Sequence, residues 1–277
     1  MIYFHEAEPY TPIQYVYGVE KVLYRGKSKF QDIAVIENKF FGKMLLLDSV
    51  VQVTERDEFF YHEMLTHVVL SAQPNPKKVA VIGGGDGGVV REVLKYKSIE
   101  KVFLVEIDEA VVNVSKEFLP ITAAALDDPR VDIKIMDGAD FVKNAQNMDA
   151  IIVDSTDIIG IARSLFSKEF FTNVKTSLND NGMFVTHTES LHHHLDIVVE
   201  MQGKFREVFP LVDLYTTPIS TYPGNWWAFA VSTKGLDPRK CLRTYELNTK
   251  YYDDEIHERS FITKNLYDKL LNGKLQW

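Results

Sequence analysis

The stretch VAVIGGGDGGVVREV, residues 79–93, runs from an apolar β-branched strand through five glycines interrupted by one acid into a helical pattern. A strand buried on both faces reads as a continuous apolar run, and glycines at its end let the backbone turn tightly and approach a ligand. The following helix offers free N–H groups at its N-terminus, the combination used for nucleotide sites in doubly wound α/β sheets. Roughly 20 residues further on, VFLVEID (102–108) brings Glu106 to the place where such a sheet sets a carboxylate on ribose hydroxyls.

Toward the C-terminus the pattern repeats. KKVAVIGGG (77–85), KVFLVEID (101–108), VDIKIMD (131–137), DAIIVDS (149–155) and GMFVTHTE (182–189) alternate with helix-like GGVVREVLKYK (87–97), DEAVVNVSKEFL (108–119) and KEFFTNVKTSL (168–178). Such alternation predicts a parallel, doubly wound sheet, the Rossmann-like arrangement also used by class I methyltransferases. TYPGNWWAFAVST (221–233) reads as a further strand pair joined by a Pro-Gly turn.

Toward the N-terminus, YVYGVEKVLYRG (15–26), FQDIAVIENKFFGKMLLLD (30–48) and SVVQVTE (49–55) predict a small antiparallel β domain, with Gly26 and Asn38 at hairpin-like turns. EFFYHEMLTHVVLS (58–71) has the spacing of an amphipathic helix and stops before a Pro-Asn-Pro stretch. The expected division is a β domain over residues 1–56 and a Rossmann-like catalytic domain over 57–277, its sheet starting near Lys77.

The 277 residues carry a formal net charge of −8 without long acidic or basic blocks, which gives no support to nucleic-acid or anionic-membrane binding. A lone cysteine, Cys241, excludes an intramolecular disulfide and a cysteine metal cluster and fits a cytoplasmic setting. The opening MIYFHEAEPY lacks a basic segment leading into an apolar run, and no apolar stretch approaches the roughly 20 residues needed to span a bilayer.

Candidate chemistry centres on acids. Asp86 puts a negative charge inside the glycine loop, where a dinucleotide pyrophosphate would be repelled and a cationic adenosine compound such as a sulfonium would be held. IIVDSTD (151–157) ends an apolar strand in Asp154 and Asp157, which should face the crevice beyond the strand ends. Asp137-Gly138 belongs to the same edge, although Asp-Gly is also a common turn. Acids converging there suit a second cation, a diamine, whose attacking nitrogen must first lose a proton; Asp154 is placed to take it.

At these residues the chain resembles the spermidine synthase family of aminopropyltransferases. The resemblance runs through YRGKSKFQDIAV (24–35), LLLDSVVQVTERDEFFYHEML (45–65), GGGDGGVVREVL (83–94), VEIDEAVV (105–112), DDPRV (127–131), IIVDSTD and ISTYPG (219–224). It implies an aminopropyl donor, decarboxylated S-adenosylmethionine, acting as co-substrate, with no separate cofactor and no metal. Gln31, Glu106, Asp137 and Gly138 would contact its adenosyl thioether part, and Asp86 its aminopropyl ammonium. Asp154 matches the family's proton acceptor, and Gln52, Tyr61, His62, Asp157 and Tyr222 match the amine channel, with Glu189 also available to the amine. The family further implies putrescine as acceptor, spermidine and methylthioadenosine as products, and a homodimer or homotetramer.

Departures concern the acceptor. Ile158 and Ile161 stand where the family has loop-stiffening prolines, His187 where glutamine is usual, and Ser220 where proline is usual. Agmatine, cadaverine or a longer polyamine therefore stay open as acceptors, as does a non-catalytic polyamine-binding role. A methyltransferase is the nearest rival, opposed by Asp86, which should repel the carboxylate of the intact cofactor. His192, His193 and His194, read as helical neighbours, would point about 100° apart and not chelate one ion.

Overall fold

The computed structural model describes residues 2–156 and 164–275. Strands β1 (Ile2–Ala7) and β2 (Gln14–Val19) form an antiparallel hairpin, and β3 (Lys21–Lys27), β4 (Asp32–Asn38), β5 (Gly42–Leu47) and β6 (Val50–Thr54) form a four-stranded antiparallel sheet in that order. Side chains alternate across a strand, so β5 sends Leu45 and Leu47 to one face and Met44 and Leu46 to the other. Met44 and Leu46 pack under the hairpin with Tyr17 and Val19. Gly26, expected at a turn, instead lies within β3 opposite Ile33, where the Tyr24 ring covers it and leaves no room for a Cβ. Asn38 does end its strand, and its side chain accepts from the N–H groups of Phe40 and Phe41.

Helix α1 (Glu58–Ser71) follows, and then β7 (Lys78–Gly83), α2 (Gly88–Val93), β8 (Lys101–Glu106), α3 (Glu109–Phe118), α4 (Pro120–Ala123), β9 (Val131–Ile135), α5 (Gly138–Asn144) and β10 (Met148–Asp154). Beyond them lie α6 (Lys168–Ser177), β11 (Leu178–Ser190), α7 (Leu195–Arg206), β12 (Leu211–Pro218) and β13 (Trp226–Thr233). The strands make one seven-stranded sheet, ordered β12-β13-β11-β10-β7-β8-β9. Its five strands from β11 to β9 are parallel, and β13 and β12 add an antiparallel edge. The fold is a Rossmann-like doubly wound sheet behind a small antiparallel β domain.

Both faces of the sheet are covered at its central strands β7, β8 and β10, which is why these read as mostly apolar runs, while the edge strand β9 is only partly buried and carries Asp132 and Lys134. On β7, Val79 and Val81 meet α1 and α2, while Ala80 and Ile82 face the opposite layer with Phe170, Phe171 and Phe205. The β domain is fastened to this unit by Ile33, Val35 and Leu45 against Val111, Val114 and Leu119.

Helix α1 departs from the amphipathic expectation, being buried at Glu58 and continuously from Tyr61 to Ser71. The C-terminal segment covers its outer side, where the Glu63 carboxylate accepts N–H bonds from Lys250, Tyr251 and Tyr252 at 2.7–2.8 Å. The strand pair expected within TYPGNWWAFAVST also differs: the Pro-Gly turn joins β12, upstream of that stretch, to β13. His192 and His193 belong to a turn before α7 and His194 stands at its N-cap position without a side-chain capping bond, so they are not helical neighbours.

Candidate active site

The parallel order reverses at β7, whose neighbours β8 and β10 lead away in opposite directions, and the crevice beyond their carboxyl ends is lined by the acids the sequence singles out. Gly83 and Gly84 carry φ angles of +81° and +69°, in the left-handed region that favours glycine. A Cβ at Gly83 would overlap the Asp154 carbonyl, and one at Gly84 would come within 2.6 Å of Oδ2 of Asp154. The glycines thus let β7 and β10 close up, and they bring Asp86 and Asp154 into one pocket.

Asp154 is half-buried, and its Oδ2, shut off from solvent, has no hydrogen-bond partner among the described residues. Burial pushes its pKa up to about 7, Asp86 adds to the rise, and His62 and the Tyr61 hydroxyl pull the other way. His62, on α1, places Nδ1 2.6 Å from Oε2 of Glu58 and Nε2 3.4 Å from Oδ1 of Asp86. Burial opposes its charge, but Asp86, Glu58 and Asp154 outweigh burial and raise its pKa to about 9. Arg91 of α2 holds Glu58 through two hydrogen bonds, at 2.7 and 3.0 Å.

On the β8 side, Glu106 is buried, and burial raises its pKa to about 7 against N–H bonds from Asp108, Ile107 and Gly85. Gln31 reaches in from the β domain, its Nε2 donating to Asp108 at 3.0 Å beside the Ser28 hydroxyl at 2.6 Å. Asp137 caps α5 by accepting from Ala139, and Gly138 sits so close to Ile82 that no side chain fits. These residues share the pocket, and Gln31 comes from the other domain.

The opposite wall is aromatic and acidic. Tyr61, Tyr222 and Trp227 form a cluster with ring centroids 5.6 and 4.8 Å apart along the chain of contacts, and the Tyr222 hydroxyl donates to the Gln52 carbonyl at 2.6 Å. Ser220 bonds to Asp57, which also accepts from the Thr221 N–H at 3.0 Å. Glu189 has φ +74° and an Oε1 without a hydrogen-bond partner among the described residues. His187 Nε2 donates to the Ser155 carbonyl at 3.0 Å, and its ring stacks on Trp227; burial lowers its pKa, which keeps it neutral at pH 7. A neutral imidazole there adds no positive charge to the wall beside Glu189.

All candidates but one meet in the crevice: Gln31, Gln52, Tyr61, His62, Asp86, Glu106, Asp137, Gly138, Asp154, Glu189 and Tyr222. Asp157, with Ile158 and Ile161, lies outside the described residues. Sequence reasoning missed Glu6 and Glu8 of the N-terminal hairpin, and His194, whose Nε2 lies 2.8 Å from Glu8 and Nδ1 3.6 Å from Glu189. Nothing local marks them, because Glu6 is held by the Val51 N–H 45 positions away and Glu8 by His194 186 positions away. His62, Asp86 and Asp154 offer ligand atoms within 4.8 Å of one another. With its pKa raised to about 9, His62 faces the Asp86 carboxylate as an imidazolium in an ion pair.

Fold and crevice together define a Rossmann-like α/β enzyme class whose switch-point pocket is walled by carboxylates. Residues 58–240 match the model of the spermine/spermidine synthase domain, and residues 2–55 that of the spermidine synthase tetramerisation domain. The chain belongs to the spermine/spermidine synthase family of aminopropyltransferases. It is 51% identical to the polyamine aminopropyltransferase of Hydrogenobaculum sp. and 46% identical to polyamine aminopropyltransferase 1 of Aquifex aeolicus, each alignment covering 100% of this chain and 99% of the relative. A spermidine synthase in complex with the transition-state analogue AdoDATO superposes with a TM-score of 0.92 at 36% identity, over 98% of this chain and 95% of that one. The spermidine synthase from Thermotoga maritima gives 0.91 at 35%, over 98% and 94%.

Proposed function

We propose that the chain transfers the aminopropyl group of decarboxylated S-adenosylmethionine to putrescine, giving spermidine and methylthioadenosine, with Asp154 as general base. The observation that carries this reading is the Asp154 carboxyl, whose Oδ2 has no hydrogen-bond partner among the described residues and whose pKa is raised to about 7, beside a second acid, Asp86. A base poised near the working pH takes a proton from an ammonium most effectively. The freed nitrogen attacks the carbon next to sulfur; the N–C bond forms, the C–S bond breaks with its electron pair going to sulfur, and the proton stays on Asp154.

In this reading Gln31, Glu106, Asp137 and Gly138 hold the adenosyl thioether part of the donor and Asp86 holds its ammonium. Gln52, Tyr61, His62, Asp157, Glu189 and Tyr222 line the acceptor channel. Asp86 also disfavours intact S-adenosylmethionine, whose carboxylate it would repel. A longer acceptor is the second reading, favoured by the continuation of the acidic wall past Glu189 to Glu6 and Glu8. Self-assembly through the β domain is supported by the exposed Ile2, Tyr3 and Val16 on the hairpin.

Methylthioadenosine release, with the amine product identified by mass, tests the proposal for putrescine, cadaverine, agmatine and spermidine in separate reactions. Spermidine formed from putrescine at the highest kcat/KM is the expected result. A preference for another amine reassigns the acceptor, and no release with any of them refutes the transferase reading.

A further inference from the structure

The crevice holds a cation of its own. His62 is 2% exposed, its Nδ1 bonded to Glu58 and its Nε2 aimed at Asp86, the acid assigned above to the donor's ammonium. The groups that face it are Glu58 and Tyr61 on α1, Asp86 in the loop before α2, Asp154 on β10 and, through Glu58, Arg91 on α2. Its ring is pinned: a Cβ on Gly88 would overlap the imidazole, so the ring lies directly against backbone on that side. An ammonium arriving at Asp86 therefore meets a second positive charge that has no room to withdraw. What the imidazolium can lose is its proton.

We propose that His62, oriented by Glu58, is the resident counter-ion of Asp86 in the free enzyme and yields that place to the donor's ammonium by releasing its Nε2 proton to solvent. Because Glu58 keeps the proton on Nδ1, the neutral ring turns an Nε2 lone pair toward the ammonium and accepts from it. Glu58 is a positioning residue that selects this tautomer. The exchange rests on the assignment of Asp86 to the donor, and it makes donor binding release a proton.

Calorimetric titration of the donor into the full-length enzyme at pH 8.5, in two buffers of different ionisation enthalpy, reads the released proton directly. At that pH Asp154, with a pKa of about 7, is already ionised and contributes little. His62, with a pKa of about 9, is about three-quarters protonated, so release approaching that fraction per site is expected after correction for the donor's own amine. Methylthioadenosine, which lacks the ammonium, should bind with buffer-independent heat. In parallel, the His62 imidazole resonances should titrate near pH 9 in the free enzyme, with a lower midpoint in Glu58→Gln, and show a neutral ring at pH 8.5 in the donor complex. Donor binding with buffer-independent heat and a His62 that stays charged refutes the exchange while leaving the donor site standing. A donor that does not bind refutes both.

Discussion

Replacing Gly84 by alanine separates the architecture of the glycine loop from its chemistry. Gly84 has φ +69°, and the new methyl would stand 2.6 Å from Oδ2 of Asp154, so the carboxyl must retreat by about 0.8 Å to reach ordinary contact at 3.4 Å. A non-glycine residue in the left-handed region costs roughly 1–2 kcal/mol. In a chain of this size that lowers Tm by roughly 2–8 °C, which leaves the protein folded. The displaced base costs more: misplacement by about 1 Å reduces a rate by about 10²-fold. The expected outcome is a folded enzyme with kcat for methylthioadenosine release down by about 10²-fold at saturating substrates. Gly203→Ala is the control, because none of the described residues lies within 4 Å of its added methyl. A folded Gly84→Ala enzyme whose kcat stays within about threefold of the parent, far short of that loss, would refute the claim that the placement of Asp154 limits turnover.

Asp154→Asn should lower kcat by on the order of 10²–10⁴ at saturating substrates. The same variant should gain stability on the parent as pH rises. The Asp154 pKa is raised from 3.8 to about 7 on folding, so the parent loses stability between those values and the Tm difference, absent near pH 4, should open by pH 8. Asp86→Asn should weaken donor binding by about 10–100-fold, as loss of a charged hydrogen bond does, and narrow the preference against intact S-adenosylmethionine in direct binding measurements. His187→Gln should leave the pH profile of the acceptor KM unchanged above pH 7, since burial already keeps His187 neutral there; a profile that loses an inflection above pH 7 would contradict this.

The central strands of the parallel sheet were legible because burial on both faces imposes a mostly apolar run, and β7, β8 and β10 fall where those runs lie. Helix α1 was legible in its extent from Glu58 to Ser71 but not in its environment, since the tail that covers it comes from residues nearly 190 positions away. Gly26 was misread because a glycine in a strand and a glycine in a turn look alike until the Tyr24 ring is seen above it.

The sequence by itself determined that glycines and an acid follow the first sheet strand, and that further acids end its neighbours. Backbone needs and strand polarity are local, so Asp86, Glu106, Asp137 and Asp154 could be assigned to one edge. Tertiary structure alone decided which residues meet them. Gln31 and Gln52 enter from the other domain, Glu6 and Glu8 from the first hairpin, and Glu58 fixes His62 between itself and Asp86. Charge states followed from the same assembly: burial raises Asp154 toward neutral pH, while three surrounding carboxylates keep His62 protonated. Those properties depend on distances between chain segments far apart in sequence, and only the packed fold sets such distances.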